Sequence, residues 1–118
     1  MRVLIFILIL FLPSYSSAID LDVFFKAYDQ ETSNKDRDEK QRLMLEWYAE
    51  GVAQGIIYAN AIANEKFGKN IFCSPKDLGI GKDFLINLVR EWKDELHGTD
   101  YPFSLEAMFA LEAKFPCN

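Results

Sequence analysis

The chain has 118 residues and a formal net charge of −5; half of it is hydrophobic, with ten phenylalanines and two tryptophans. That is enough apolar material for one core and too little chain for two domains. The acidic balance argues against nucleic acid as a partner, and one histidine with two cysteines leaves too few ligands for a zinc site.

Met1-Arg2, the apolar run from Val3 to Leu12, and then Pro13-Ser14-Tyr15-Ser16-Ser17-Ala18 have the charged, apolar and small-residue regions of a secretory signal. Cleavage is expected after Ala18, leaving a single domain over residues 19–118. Ten apolar residues span about 15 Å as a helix, half of a hydrocarbon core, so a membrane anchor is the weaker alternative. The processed chain would be free of the membrane, with 12 basic and 18 acidic side chains.

Asp20 and Asp22 are placed to cap a short helix through Val23 and Tyr28, expected to lie as a strap over the domain. The polar stretch Gln30 to Lys35 reads as a loop. A long helix follows from near Asp36 to about Asn64, opened by Asp36/Lys40 and Asp38/Arg42 at the supportive i, i+4 spacing. Its apolar residues Leu43, Met44, Trp47, Tyr48, Val52, Ile56, Ala59, Ile62 and Ala63 recur at three-to-four spacing, which predicts a buried face. Gly51 and Gly55 fall within that pattern. Glycine costs about 1 kcal/mol inside a helix, so the pair predicts either close approach of another element or a kink.

The segment from Lys66 to Gly79 carries Cys73 and Pro75 without a helical pattern. A connection of this length needs something to fix it. In an exported chain the two cysteines, Cys73 and Cys117, are expected to pair, tying the C-terminus to the central loop. Closing that loop would remove denatured-state entropy equivalent to roughly 4 kcal/mol. A third helix is predicted from about Ile80 to Leu96 with Phe84, Leu85, Leu88, Trp92 and Leu96 on one face, ended by His97-Gly98. Thr99-Asp100-Tyr101-Pro102 turns the chain into a fourth helix through Leu105, Met108, Leu111 and Phe115. The expected fold class is therefore all-α, a small domain of about four helices with one disulfide.

No catalytic, cofactor-binding or metal site is expected. His97 falls at a helix end, where an exposed cap is commoner than a catalytic base. Glu46 and Glu50 read as a solvated face rather than an acid–base pair. Gly79 and Gly81 precede a helix without the rest of a phosphate cradle. From Asp83 to Glu112 there are seven acidic and two basic side chains, an arrangement that would attract a basic partner or simply keep the surface solvated.

Tyr48 and Gly51 on a long helix, then Phe72-Cys73-Ser74-Pro75, an amphipathic helix, and a terminal helix ending in Phe115-Pro116-Cys117 resemble the Rap/Tai family, the immunity proteins of type VI secretion amidase effectors. The resemblance covers most of residues 43–117. It departs at Leu78 to Phe84, where the family commonly has a threonine and a glutamine, and at His97 to Pro102, which is longer than the family pattern. It implies a periplasmic α-helical protein of a Gram-negative bacterium, often a homodimer, that plugs the active site of a peptidoglycan-cleaving amidase in the manner of a toxin–antitoxin pair. The loop His97-Gly98-Thr99-Asp100-Tyr101 is the expected partner-binding segment, because it joins two helices, departs from the family pattern and carries a tyrosine beside a proline. The alternatives are a non-inhibitory periplasmic structural or adaptor module, and a hydrolase that relies on His97.

Overall fold

The computed structural model describes residues 18–95 and 101–118. The expected signal segment through Ser17, the expected helix end at Leu96, and His97, Gly98, Thr99 and Asp100 lie outside the described residues. Four helices make up the described fold: α1 (Leu21–Tyr28), α2 (Lys35–Phe67), α3 (Lys82–Glu95) and α4 (Phe103–Lys114). The protein is all-α, as its periodicity predicts, and a Cys73–Cys117 disulfide joins the C-terminus to the segment between α2 and α3.

Helix α1 is a core element rather than a strap. Leu21 and Phe24 are fully buried, and the Phe24 ring stacks on Phe103 of α4 with centroids 4.1 Å apart. Phe25, Tyr28 and Tyr48 complete an aromatic cluster around this pair. Asp20 occupies the N-cap position but makes no capping bond with its side chain. The carboxylate of Asp22 instead meets the Lys93 ammonium of α3 at 3.1 Å.

At the start of α2 the capping side chain is Asn34, whose oxygen accepts from the Arg37 amide at 3.1 Å. The expected Asp36–Lys40 pair is present at 2.9 Å, whereas Asp38 accepts the Thr32 hydroxyl and Arg42 donates to the Tyr28 carbonyl. The helix runs past Asn64 to Phe67 because its stop is Gly68, which takes the left-handed conformation (φ 67°) and donates its amide to the Asn64 carbonyl.

The buried face of α2 agrees with the expected one at Tyr48, Val52 and Ile56 and differs from it elsewhere. Ala49, Ala53 and Ile56 point into the core, with Leu45, Tyr48, Val52 and Ile57 packed beside them. Leu43, Met44, Trp47 and Ile62 are exposed, Trp47 by 66% and Met44 by 72%. Gly51 and Gly55 are exposed too, and a Cβ added at either would meet nothing within 4 Å. Neither close approach within the chain nor core packing explains them. The periodicity misled because α2 is apolar on two sides, and the small residues Ala49 and Ala53 admit the neighbouring helices to the side that carries less hydrocarbon.

Helix α3 begins at Lys82 and buries Leu85, Ile86, Leu88 and Val89, with Phe84 and Trp92 packed partly against the core. Helix α4 buries Phe103, Ala107, Ala110 and Leu111 and leaves Leu105 39% exposed. One charged side chain is buried among the described residues, Glu106 of α4, and its carboxylate accepts a hydrogen bond of 2.6 Å from the Trp92 indole N–H. This pair fastens α3 to α4.

Candidate partner-binding surface

Tyr101 is the described member of the expected binding loop. Its backbone is clamped to the N-terminal segment: the Leu21 amide donates to the Tyr101 carbonyl at 3.1 Å, and the Phe103 amide donates to the Ile19 carbonyl at 2.8 Å. These bonds form an antiparallel bridge of Asp20 with Pro102 at the entry to α4. The Tyr101 side chain is 57% exposed, so it does not pack beneath its own helix. An aromatic ring on a backbone held at both ends loses little freedom on binding.

The neighbouring end of α3 presents Glu91, Asp94 and Glu95 to solvent. The two basic residues of this region are committed elsewhere. Arg90 reaches back to Asp29 with both guanidinium arms, at 2.7 and 2.8 Å, and lies over the Phe25 ring at 4.6 Å. Lys93 pairs with Asp22. The bidentate contact holds the Asp29 carboxyl below its usual range and raises Arg90. Glu106, counted among the acidic residues of this region in the sequence, contributes nothing to its surface because it is buried.

Glu46 and Glu50 are structural rather than a merely solvated face. Glu46 meets the Lys82 ammonium at 3.0 Å, and Glu50 accepts the Lys82 main-chain amide at 2.9 Å. A carboxylate of α2 thereby caps the first turn of α3, where the free amides and the helix dipole favour negative charge. Hydrogen bonds from Gln54 and then from the Lys82 amide lower the Glu50 carboxyl. The sequence offered no local signal for this cap, which joins residues 32 positions apart.

The cysteine crossing is arranged as its flanking residues suggest. The two Cα atoms lie 5.1 Å apart, and the Cys73 amide donates to the Phe115 carbonyl at 2.8 Å. Phe72 beneath it is 2% exposed, and Phe115 stacks on Phe84 with centroids 6.3 Å apart. Both cysteines, Pro75 and Pro116 are exposed. The segment has a second anchor that sequence reasoning missed. Asn60 of α2 accepts from the Ile71 and Phe72 amides at 2.7 and 3.2 Å and donates to the Phe72 carbonyl at 3.1 Å.

Two further features complete the surface. The outward face of α2 is apolar along its middle, and beside it a groove of about 410 Å³ between α2 and α4 is lined by Val52, Gly55, Ile56, Ala59, Ser104, Leu105 and Met108. Among the described residues no group of three His, Cys, Asp or Glu side chains is placed to hold a metal ion, and no helix is long and apolar enough to cross a membrane. Comparison with protein families, curated proteins and solved structures gives no match for the chain.

Proposed function

We propose that the protein is a periplasmic immunity protein that binds a type VI secreted peptidoglycan amidase and inhibits it by blocking its active site. The observation that carries this reading is the exposed Tyr101 ring on a clamped backbone, in a chain segment that follows the acidic end of α3. To occlude an enzyme cleft, a binder must project a group whose position is already fixed, and this one is held by the α1–α4 bridge. The disulfide supports the same reading, since a covalent tie between Cys73 and Cys117 is compatible with an oxidising compartment. So does the helical fold, which is the one that the family resemblance implies.

The test is co-expression with the product of an adjacent gene for a small cell-wall hydrolase, followed by co-purification and a lysis assay. Protection and a stable complex are expected. Tyr101→Ala should weaken that complex by about 2 kcal/mol or more without altering the melting temperature. A complex that forms without protection would make the protein a non-inhibitory adaptor, and unchanged affinity in Tyr101→Ala would remove this residue from the interface.

A further inference from the structure

The Cys73–Cys117 bridge lies at the surface, and a single residue faces both of its sulfurs. The Asn70 side-chain amide donates to Cys73 Sγ at 3.8 Å, within the longer reach that sulfur allows, and the Asn70 main-chain carbonyl stands 3.8 Å from Cys117 Sγ. A disulfide sulfur carries no hydrogen, so the second contact is not a hydrogen bond: it sets the negative end of a carbonyl dipole against Cys117. One sulfur therefore faces a positive group and the other a negative one. Their flanks differ as well. Cys117 lies between Pro116 and Asn118, both exposed, whereas Cys73 follows Phe72, which is buried.

A thiolate opens a disulfide by attacking one sulfur in line with the S–S bond and expelling the other, and negative charge gathers on the entering and leaving sulfurs rather than on the central one. The leaving sulfur is thus the one that gains from a hydrogen-bond donor. Cys73 has that donor, whereas Cys117, if expelled, would build its charge against the Asn70 carbonyl. We propose that Cys117 is a site of reversible S-thiolation by a small anionic thiol, with Cys73 as the leaving group and, in the return step, as the resolving thiolate.

In the forward step the sulfur of the incoming thiolate bonds to Cys117 Sγ, the Cys73–Cys117 bond breaks, and its electron pair departs on Cys73 as a thiolate facing the Asn70 amide. One disulfide replaces another and one thiolate replaces another, so no further oxidant or reductant is needed. In the return step Cys73 attacks Cys117 Sγ and releases the thiol. Cys73 is positioned for that return by bonds that do not pass through the bridge: its amide donates to the Phe115 carbonyl at 2.8 Å, and Asn60 holds Ile71 and Phe72 just ahead of it. Charge selects an anionic thiol. Lys69, Lys76 and Lys114, all exposed, lie within four residues of a cysteine along the chain, against Asp77 alone among the acidic residues, although the protein as a whole is acidic. The assignment does not depend on which enzyme, if any, the protein inhibits.

The test exposes the oxidised protein briefly to reduced glutathione, quenches with acid and maps the peptic fragments by mass spectrometry. The glutathione adduct should sit on Cys117, with the free thiol at Cys73, by about tenfold or more over the opposite arrangement. Asn70→Ala removes the donor and keeps the carbonyl; with circular dichroism unchanged it should cut that preference by about threefold or more. Asn70→Asp, of the same shape, sets an acceptor beside Cys73 and should move the adduct toward Cys73. At equal thiolate concentration, the neutral thiol 2-mercaptoethanol should react more slowly than glutathione. An adduct chiefly on Cys73, or shared equally, would overturn the inference. So would a preference that both Asn70 variants leave intact, since exposure and not Asn70 would then choose the sulfur. A bridge that yields no adduct while the helices stay folded would overturn it too, and equal rates for the two thiols would overturn the choice of an anionic one.

Discussion

Asn60 shows how much of the architecture a single amide holds. Its side chain saturates two main-chain amides and one carbonyl at Ile71 and Phe72, just ahead of the cysteine, so that the exposed loop carries a fixed course before it is cross-linked. Asn60→Ala leaves those partly buried groups without partners. We expect a loss of about 1 to 3 kcal/mol in urea denaturation. Asp29 gives the pH dependence. Its carboxyl lies below the ordinary value of 3.8 because Arg90 bonds to it. A depressed carboxyl adds stability that is present above the unfolded value and lost as pH falls through the folded one. Asp29→Asn should therefore be less stable than the parent at neutral pH, with the difference closing as acid protonates the parent's carboxyl. The side chain is half exposed, so that difference should stay below about 1 kcal/mol. Paired acid titrations of the two proteins, followed by circular dichroism, measure it.

At the scale of the helix, the number and order of elements were legible in the sequence, and the face of α2 was legible only in part, at Tyr48, Val52 and Ile56. Periodicity detects a helix from the recurrence of apolar residues, but it cannot tell which of two apolar sides a helix turns inward. Leu43, Met44, Trp47 and Ile62 carry most of the hydrocarbon, so they dominated the pattern, while Ala49 and Ala53 were nearly silent. Contacts between distant residues had no signal at all: the Glu50 cap on α3 and the Trp92–Glu106 bond depend on where helices come to lie. Of the expected binding loop Tyr101 is the described member, and the clamp behind it, which comes from Ile19 and Leu21 at the other end of the domain, had no signal in the sequence. At Gly51 the structure removes one of the two expected reasons for a glycine, the close approach of another element of the chain. With no neighbour within 4 Å, Gly51→Ala should raise stability by about 0.5 to 1 kcal/mol, because alanine is the better helix former. A lowered melting temperature would restore the expectation of close packing.

For the whole molecule, the disulfide and the α1–α4 bridge do complementary work. The bridge brings the start of the described chain to the entry of α4, and the disulfide brings the end of the chain to the segment after α2. Helices α3 and α4 thus belong to a covalently closed ring whose clasp is Cys73–Cys117. Cys73→Ala should cost about 2 to 5 kcal/mol, and chemical reduction of the parent should reproduce that loss in denaturation experiments. A variant as stable as the oxidised parent would mean that the α3–α4 packing and Asn60 already hold the ring closed.

The exposure of both cysteines gives this clasp a further property. A buried bridge can be opened only after the fold around it has come apart, whereas a bridge between two exposed cysteines is expected to meet a small thiol while every helix is still in place. The protein therefore has two stabilities for one structure, and its surroundings choose between them. Reduced, the chain is the looser form, easier to degrade; oxidised, it is locked. Durability in this molecule is thus set by the redox state around it and not by the helices alone.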